Sequence, residues 1–292
     1  MTVRPREDRP GRAVAILLSA FVLFTTLDIS AKWLVTDGMP PLQVVAMRFG
    51  VHFVLALVFF LPQGGFGVVR SRVPVLQAGR ALSLFLATIT NFFALKYLTL
   101  SVTTAIIFAA PVLVCLLSIP LLGERVGARR LIAVGIGFVG VLIVVNPWSA
   151  GIHPAMGLSL ITMAAAAIYF ILTRMIAGRE DNPTGQIWIS GIPTLALVPL
   201  VIEGWVWPAG WGVLHALGLG ICGAVGHSLL TIGQRYGEAS ALAPLVYVQV
   251  VYASAASWLI FAEPPGVSTL LGTAVIVASG LYIWLREQRL RA

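Results

Sequence analysis

Charge is scarce in this chain. Only 10% of its 292 residues are Asp, Glu, Lys or Arg, against about 25% in ordinary soluble domains, and no polar stretch is long enough to fold as a soluble domain. Cysteine is nearly absent. Cys115 and Cys222 are the only two, and both fall inside apolar runs, which reads as small packing residues rather than a disulfide. The four histidines form no His-Glu-x-x-His, there is no Cys-x-x-Cys, and nothing clusters at ligand spacing, so neither a metal nor a cofactor is expected. No Gly-x-x-x-x-Gly-Lys-Ser/Thr loop is present, which removes an ATP-driven mechanism of that kind. The loops are short and carry no His-with-acid constellation, so a membrane-embedded enzyme has little to work with. A channel would want a pore ring repeated by oligomer symmetry, and the internal duplication described below argues instead for one self-sufficient chain, a monomer.

Apolar residues fill the space that charge leaves. They make up 59% of the chain, the mean hydropathy is +0.95, and the expectation is an all-α integral membrane protein whose partner is the lipid bilayer. Ten runs are long enough to cross about 30 Å of hydrocarbon as helices: residues 13–35, 41–62, 74–95, 101–122, 130–146, 155–176, 184–203, 211–231, 240–261 and 268–286. They are continuous rather than alternating, which sets aside a β-barrel. The Arg-rich start before an apolar run mimics a signal peptide, but nine more spans favour an uncleaved first helix. Trp205, Trp207 and Trp211 read as an interfacial belt.

Cation placement sets the orientation. Fifteen of the 19 Lys and Arg fall on alternate connections that include both ends, only Lys96 on the others, and Lys32, Arg48 and Arg80 inside spans. By the positive-inside rule both termini face the cytoplasm of a bacterial inner membrane, with tails at 1–12 and 287–292. The net charge of +8 is thereby explained by topology, and no nucleic-acid partner is expected, because no basic cluster is interleaved with stacking aromatics.

The chain also contains itself twice. From Lys96-Tyr97 and again from Arg235-Tyr236, 139 positions later, a gap-free register pairs Ser101 with Ser240, Ser118 with Ser257, Glu124 with Glu263, Gly127 with Gly266, Leu131 with Leu270 and Leu142 with Leu281. Lys32 and Arg174 are each followed nine residues later by a proline, Pro41 and Pro183. Five spans separate equivalent points, and five is odd, so the second copy enters the membrane from the opposite face. The expected organisation is two inverted five-helix repeats, 13–147 and 148–286, the symmetry that lets one conformation open inward and its counterpart outward.

The stretch from Lys96 to Val144 resembles the repeat unit of the drug/metabolite transporter superfamily, EamA type. The residues that carry the resemblance are Lys96-Tyr97, Pro111, Leu122-Gly123-Glu124-Arg125 and Gly135, Gly137 and Gly140. It extends over nearly the whole chain, more loosely in the second half, where Gln249-Val250 stands in place of a frequent Glu-Pro and Ala262-Glu263-Pro264 in place of Gly-Glu-Arg. The resemblance implies a ten-helix exporter of small metabolites. In length and aromatic content it looks most like the exporters of amino acids and aromatic metabolites; aromatic cations and drugs, sugars and nucleotide derivatives are the other solutes the superfamily carries.

The remaining clues are polar residues inside apolar runs. Asp28 is the lone intramembrane carboxylate, and an ionised Asp at a helix centre costs about 2.5–3.5 kcal/mol, so it should pair with Arg48, at a similar depth of about 10 Å, or with Lys32 one turn along. These charges, with Arg80, are expected to be structural or gating. Gln249, at the centre of the ninth span, is the first substrate-binding candidate. Tyr252 shares its face and Tyr247 points about 160° away, so at most one of the two lines a cavity with it. Pro111 should free a carbonyl near residue 107, as a bend or a polar lining group. Thr88, Asn91, Tyr169, Trp188 and His227 are further candidates, each equally readable as helix-to-helix glue. The expected mechanism is alternating access without covalent chemistry, and with one buried carboxylate it leans to facilitated movement.

Overall fold

The computed structural model describes residues 10–122, 128–146, 153–176, 179–233, 236 and 247–291. Among them there are helices and short connections and no strand. In order the helices are α1 (Pro10–Thr36), α2 (Pro41–Gly64), α3 (Pro74–Leu95), α4 (Leu100–Ile107), α5 (Ala110–Leu122), α6 (Ala128–Val145), α7 (Ala155–Ile176), α8 (Asn182–Val201), α9 (Trp211–Gly233), α10 (Val248–Phe261) and α11 (Val267–Arg291), with a 3-10 turn, Gly65–Val69, continuing α2. Arg4, Arg6, Arg9, Glu124, Arg125, Arg235, Ser240 and the first part of the ninth expected span, 240–246, lie outside the described residues.

Proline explains several boundaries. Pro41, Pro74 and Pro183 stand in the first turns of α2, α3 and α8, where a missing N–H costs nothing and a fixed φ suits the helix. Pro111 acts the other way. The expected span 101–122 is two rods, α4 and α5, joined by a turn at Phe108 and Ala109. Backbone bonds across the junction end on the carbonyls of Thr104, Ile106 and Ala109 and pass over that of Ile107, the acceptor that Pro111 has no N–H to reach. At the far end of α10 the backbone turns left-handed at Ala262 (φ 54°) and Glu263 N–H closes back onto the Ser257 carbonyl at 2.9 Å. The Ala262 N–H is directed at the same carbonyl, so the helix ends on a left-handed residue, and this fixes where Glu263 points.

Among the described residues, seven stretches suffice by length and composition to cross a membrane: Gly11–Thr36, Pro41–Val69, Pro74–Leu95, Leu100–Leu121, Ala155–Ile176, Asn182–Val201 and Trp211–Gly233. Ile132–Val145, Val248–Phe261 and Val267–Tyr282 are apolar but shorter. The outer faces are as oily as the interior: Val58, Phe59, Leu195, Trp258 and Leu259 are each more than half exposed. Hydrocarbon accepts such a surface and water does not. Inside, α1 lies along α9, α3 along α7 and α6 along α11, while α2 packs against both α8 and α9. Leu27, Leu34, Val44, Phe49, Leu95 and Leu219 form the centre of the larger core. Small residues let backbones meet, as they do where lipid gives no hydrophobic drive. A Cβ on Gly272 would stand 2.6 Å from the Gly140 carbonyl oxygen, and one on Gly220 only 2.2 Å from Val51 Cβ.

Candidate substrate site

Helix α3 carries a polar stripe. Gln77, Arg80, Leu84, Thr88 and Asn91 recur at spacings of three and four, which puts them on one face, and all five are buried. Around that face stand Asp28 of α1, Arg48 and His52 of α2, Tyr169 of α7, Gln186 of α8 and His227 of α9, each side chain drawn inward by a helix whose opposite face is apolar.

Their hydrogen bonds fall into small groups. Arg48 Nη1 donates to Thr88 Oγ1 at 2.6 Å, Arg48 Nη2 lies 3.5 Å from His227 Nε2, and Tyr169 Oη lies 3.5 Å from His227 Nδ1. Arginine has only donors, so His227 Nε2 carries the lone pair, and a neutral ring then bears its proton on Nδ1, toward Tyr169. His52 Nε2 sits 3.0 Å from Gln186 Oε1. An amide oxygen only accepts, so the His52 proton is on Nε2 and its Nδ1 is a bare acceptor, buried without a partner. The two imidazoles are stacked with centroids 6.2 Å apart, and the Arg48 guanidinium lies over the Phe49 ring at 4.3 Å. Arg80 Nη2 donates to the Gly185 carbonyl at 2.9 Å.

The expected ion pairs at Asp28 are replaced by other contacts. Asp28 Oδ1 accepts from Asn91 Nδ2 at 3.2 Å, and no ion pair within 4 Å joins it to Arg48 or Lys32. Arg48 acts on it only through the field. Lys32, one turn further along α1, is committed elsewhere: its Nζ lies 2.9 Å from Glu263 Oε2 and 2.9 Å from the Leu98 carbonyl oxygen. The reason is reach. Lys32 has a long stem that extends to the end of α10, where the Ala262 turn presents Glu263, whereas the short Asp28 meets what α3 places beside it.

Other expected residues stand apart from these groups. Trp188 donates its indole N–H to the Val69 carbonyl at 2.9 Å, holding the 3-10 turn at one end of the bundle. Tyr247 packs with Phe108, ring centroids 6.3 Å apart, and fills the space over Gly280, where an added Cβ would collide with its phenol. Tyr252 belongs to a cluster with Ala13, Leu17 and Phe21 that includes Phe24, whose ring meets His227 edge-on at 5.0 Å. Gln249, three residues before Tyr252, is buried. Pro111 acts through the backbone at the α4–α5 bend. His52, Gln186 and Gln77 belong to the buried polar set and were not among the expected binding residues; a glutamine or histidine within an apolar run was the available signal.

The two ends of the bundle differ. Near the start of α2, Lys32, Glu263 and the Leu98 carbonyl form a buried latch, and the Gln43 amide clamps the backbone of Val206, which donates to Gln43 Oε1 at 3.0 Å. At the opposite end a cleft of about 410 Å³ opens between the α2–α3 and α7–α8 connections, lined among others by Arg70, Arg72, Glu180 and Asn182. Glu180 accepts there from Ser71 Oγ and from the Arg72 amide, the latter at 3.0 Å. A hydrogen-bonded path leads inward from this cleft: Gln186 Nε2 donates to Asn182 Oδ1 at 3.2 Å, and Gln186 Oε1 meets His52.

A bundle with apolar outer faces and a buried polar centre, fastened at one end and reached by a polar path from the other, is the build of a membrane transporter. The chain belongs to the EamA-like transporter family, whose model matches residues 11–146 and, a second time, 153–285. It is similar to a riboflavin transporter of Rhizobium johnstonii, at 26% identity with 96% of this chain and 94% of that one covered. It is also similar to an S-adenosylmethionine uptake transporter of Rickettsia prowazekii (22% identity; 93% and 92% covered) and to a pseudopaline exporter of Pseudomonas aeruginosa (26%; 90% and 93%). A solved crystal structure shares the fold with a TM-score of 0.65 at 22% identity, covering 97% of this chain and 99% of that one.

Proposed function

We propose that the protein is a secondary carrier of the bacterial inner membrane that exports small metabolites, amino acids and aromatic ones among them, by alternating access. The observation that carries this reading is the asymmetry of the ends around one polar centre: a latch on one side, an open cleft with a hydrogen-bonded path on the other. In this reading the chain spans the membrane ten times as two inverted repeats, 13–147 and 148–286. The family model's two matches support it. So does the packing, because exchanging each span for the one five places later turns the α1–α9 contact into α7–α3 and returns α2–α8 and α6–α11 to themselves. Cation placement supports a cytoplasmic side for both termini and the cleft.

Counterflow in proteoliposomes tests the reading. Saturable, competable exchange of labelled phenylalanine is expected, unchanged by an imposed pH gradient. A strict gradient requirement would replace facilitated movement with coupling. Conductance that never saturates, or chemical turnover without flux, would overturn the carrier altogether. Riboflavin and S-adenosylmethionine, the solutes that the relatives are named for, belong in the competition panel; either outcompeting every amino acid would replace the amino-acid part of the reading.

A further inference from the structure

The charges at the polar centre do not balance. Lys32 is matched by Glu263 at 2.9 Å, which leaves Asp28, among the described residues of the centre, as the one carboxylate opposite two buried guanidiniums, Arg48 and Arg80, at 5% and 9% exposure. Neither guanidinium has a carboxylate within 4 Å among the described residues; their hydrogen-bond partners are Thr88, His227 and the Gly185 carbonyl. Arg48 Nη2 lies 3.5 Å from His227 Nε2, and the fields of both guanidiniums act on that imidazole. Glu180 acts on Arg80 from the cleft, outside the centre, where its Oε2 accepts from Ser71 and the Arg72 amide.

Unused hydrogen-bonding atoms point the same way. The Nε donors of both Arg48 and Arg80 are buried without a partner, as are two acceptors, His52 Nδ1 and Asn91 Oδ1. A buried donor on a cation left unpaired is expensive, and a buried positive charge without a counter-charge more so. Sites that keep such groups keep them for a ligand that completes them. Guanidinium presents its N–H groups as a planar fork matched to the two oxygens of a carboxylate.

We propose that the transported solute carries a carboxylate, held between the guanidiniums of Arg48 and Arg80, with its own N–H or O–H groups donating to His52 Nδ1 and Asn91 Oδ1. This rests on the carrier reading and names the chemical feature that the carrier selects. One anionic group cancels the surplus positive charge, so the loaded centre is neutral and the empty one is not. An acid is therefore recognised over its amide of nearly identical shape, because the amide leaves the surplus in place and brings donors to face donors.

The test uses matched pairs: phenylalanine and phenylalaninamide, phenylacetate and phenylacetamide. Binding is read by the shift in melting temperature of the purified full-length protein over a concentration series, and transport by counterflow in liposomes. The acid of each pair is expected to bind at least tenfold more tightly than its amide. Arg80→Gln and Arg48→Gln should each bring that ratio down to about one, while Arg80→Lys keeps part of it. Should the glutamine variants fail to fold, the wild-type acid-to-amide ratio still decides. A wild-type ratio near one, no binding by either acid, or an undiminished ratio in folded glutamine variants overturns the inference. Acids that bind selectively but are not moved would leave this inference standing and overturn the carrier; amides moved as readily as acids would do the reverse.

Discussion

Asp28 shows what a single residue contributes when it is half-buried and only half satisfied. Its Oδ1 accepts from the Asn91 amide, 3.2 Å away, while Arg48 supplies field rather than contact. Asp28→Asn keeps the shape and removes the charge, leaving Arg48 with no opposing carboxylate among the described residues around it. The expected cost is about 2–3 kcal/mol, the scale of an unmatched charge in a membrane helix. Adding Arg48→Met to Asp28→Asn should recover about 1 kcal/mol or more relative to the sum of the single changes, since the cycle isolates their coupling. Melting temperatures of detergent-purified variants give the numbers. Additivity within about 0.5 kcal/mol would mean that Arg48 does not stabilise Asp28 at all.

Among the elements, α2 is placed by how closely α9 lets it approach. Gly220 meets Val51 Cβ and the His52 amide nitrogen at distances where an added Cβ would stand at 2.2 and 3.0 Å, so Gly220→Ala must push the two helices apart at the turn that carries His52. Overpacking of this kind costs about 1–3 kcal/mol, and the same displacement should lower transport by loosening the His52–Gln186 contact. Gly50→Ala, in α2 with nothing within 4 Å of the added atom, is the control and should be neutral or stabilising by about 0.5–1 kcal/mol. A Gly220→Ala protein as stable and as active as Gly50→Ala would show the contact to be slack. Such packing is invisible in sequence, which displays the glycine but not its neighbour 169 positions away. What sequence displays well is local. The ends of α3 and α7 follow hydropathy and proline, and the α4–α5 bend follows from the missing N–H of Pro111. The partners of charged residues are not local: Lys32 and Asp28 sit one turn apart on α1, yet one reaches α10 and the other α3. The sequence named Arg80, Thr88 and Asn91 one by one; only the packed bundle shows that they share a face with Gln77 and that Arg48, Tyr169 and His227 stand around it.

For the whole molecule, the informative pattern is that its fastenings cross the middle of the chain. Lys32 with Glu263, Gln43 with Val206, and Ser71 and Arg72 with Glu180 each join a residue before 147 to one after 153. If the two halves rock about the polar centre, the latch at Lys32 must part on every cycle, because it closes the end opposite the cleft. A cross-link there should therefore stop transport without touching the site. The test replaces Lys32 and Glu263 by cysteine in a chain whose buried Cys115 and Cys222 are changed to alanine, and joins the pair with a short reducible bis-methanethiosulfonate. Reaction proceeds as the latch opens, since Lys32 is 3% exposed when it is shut. Counterflow is expected to fall at least tenfold on cross-linking and to return when the linker is reduced, while the acid-to-amide binding ratio stays unchanged because Arg48 and Arg80 are untouched. Full exchange through the cross-linked protein would mean that solute passes while this end stays shut. The latch would then be a static strut, and the moving parts would have to be sought at the cleft around Glu180.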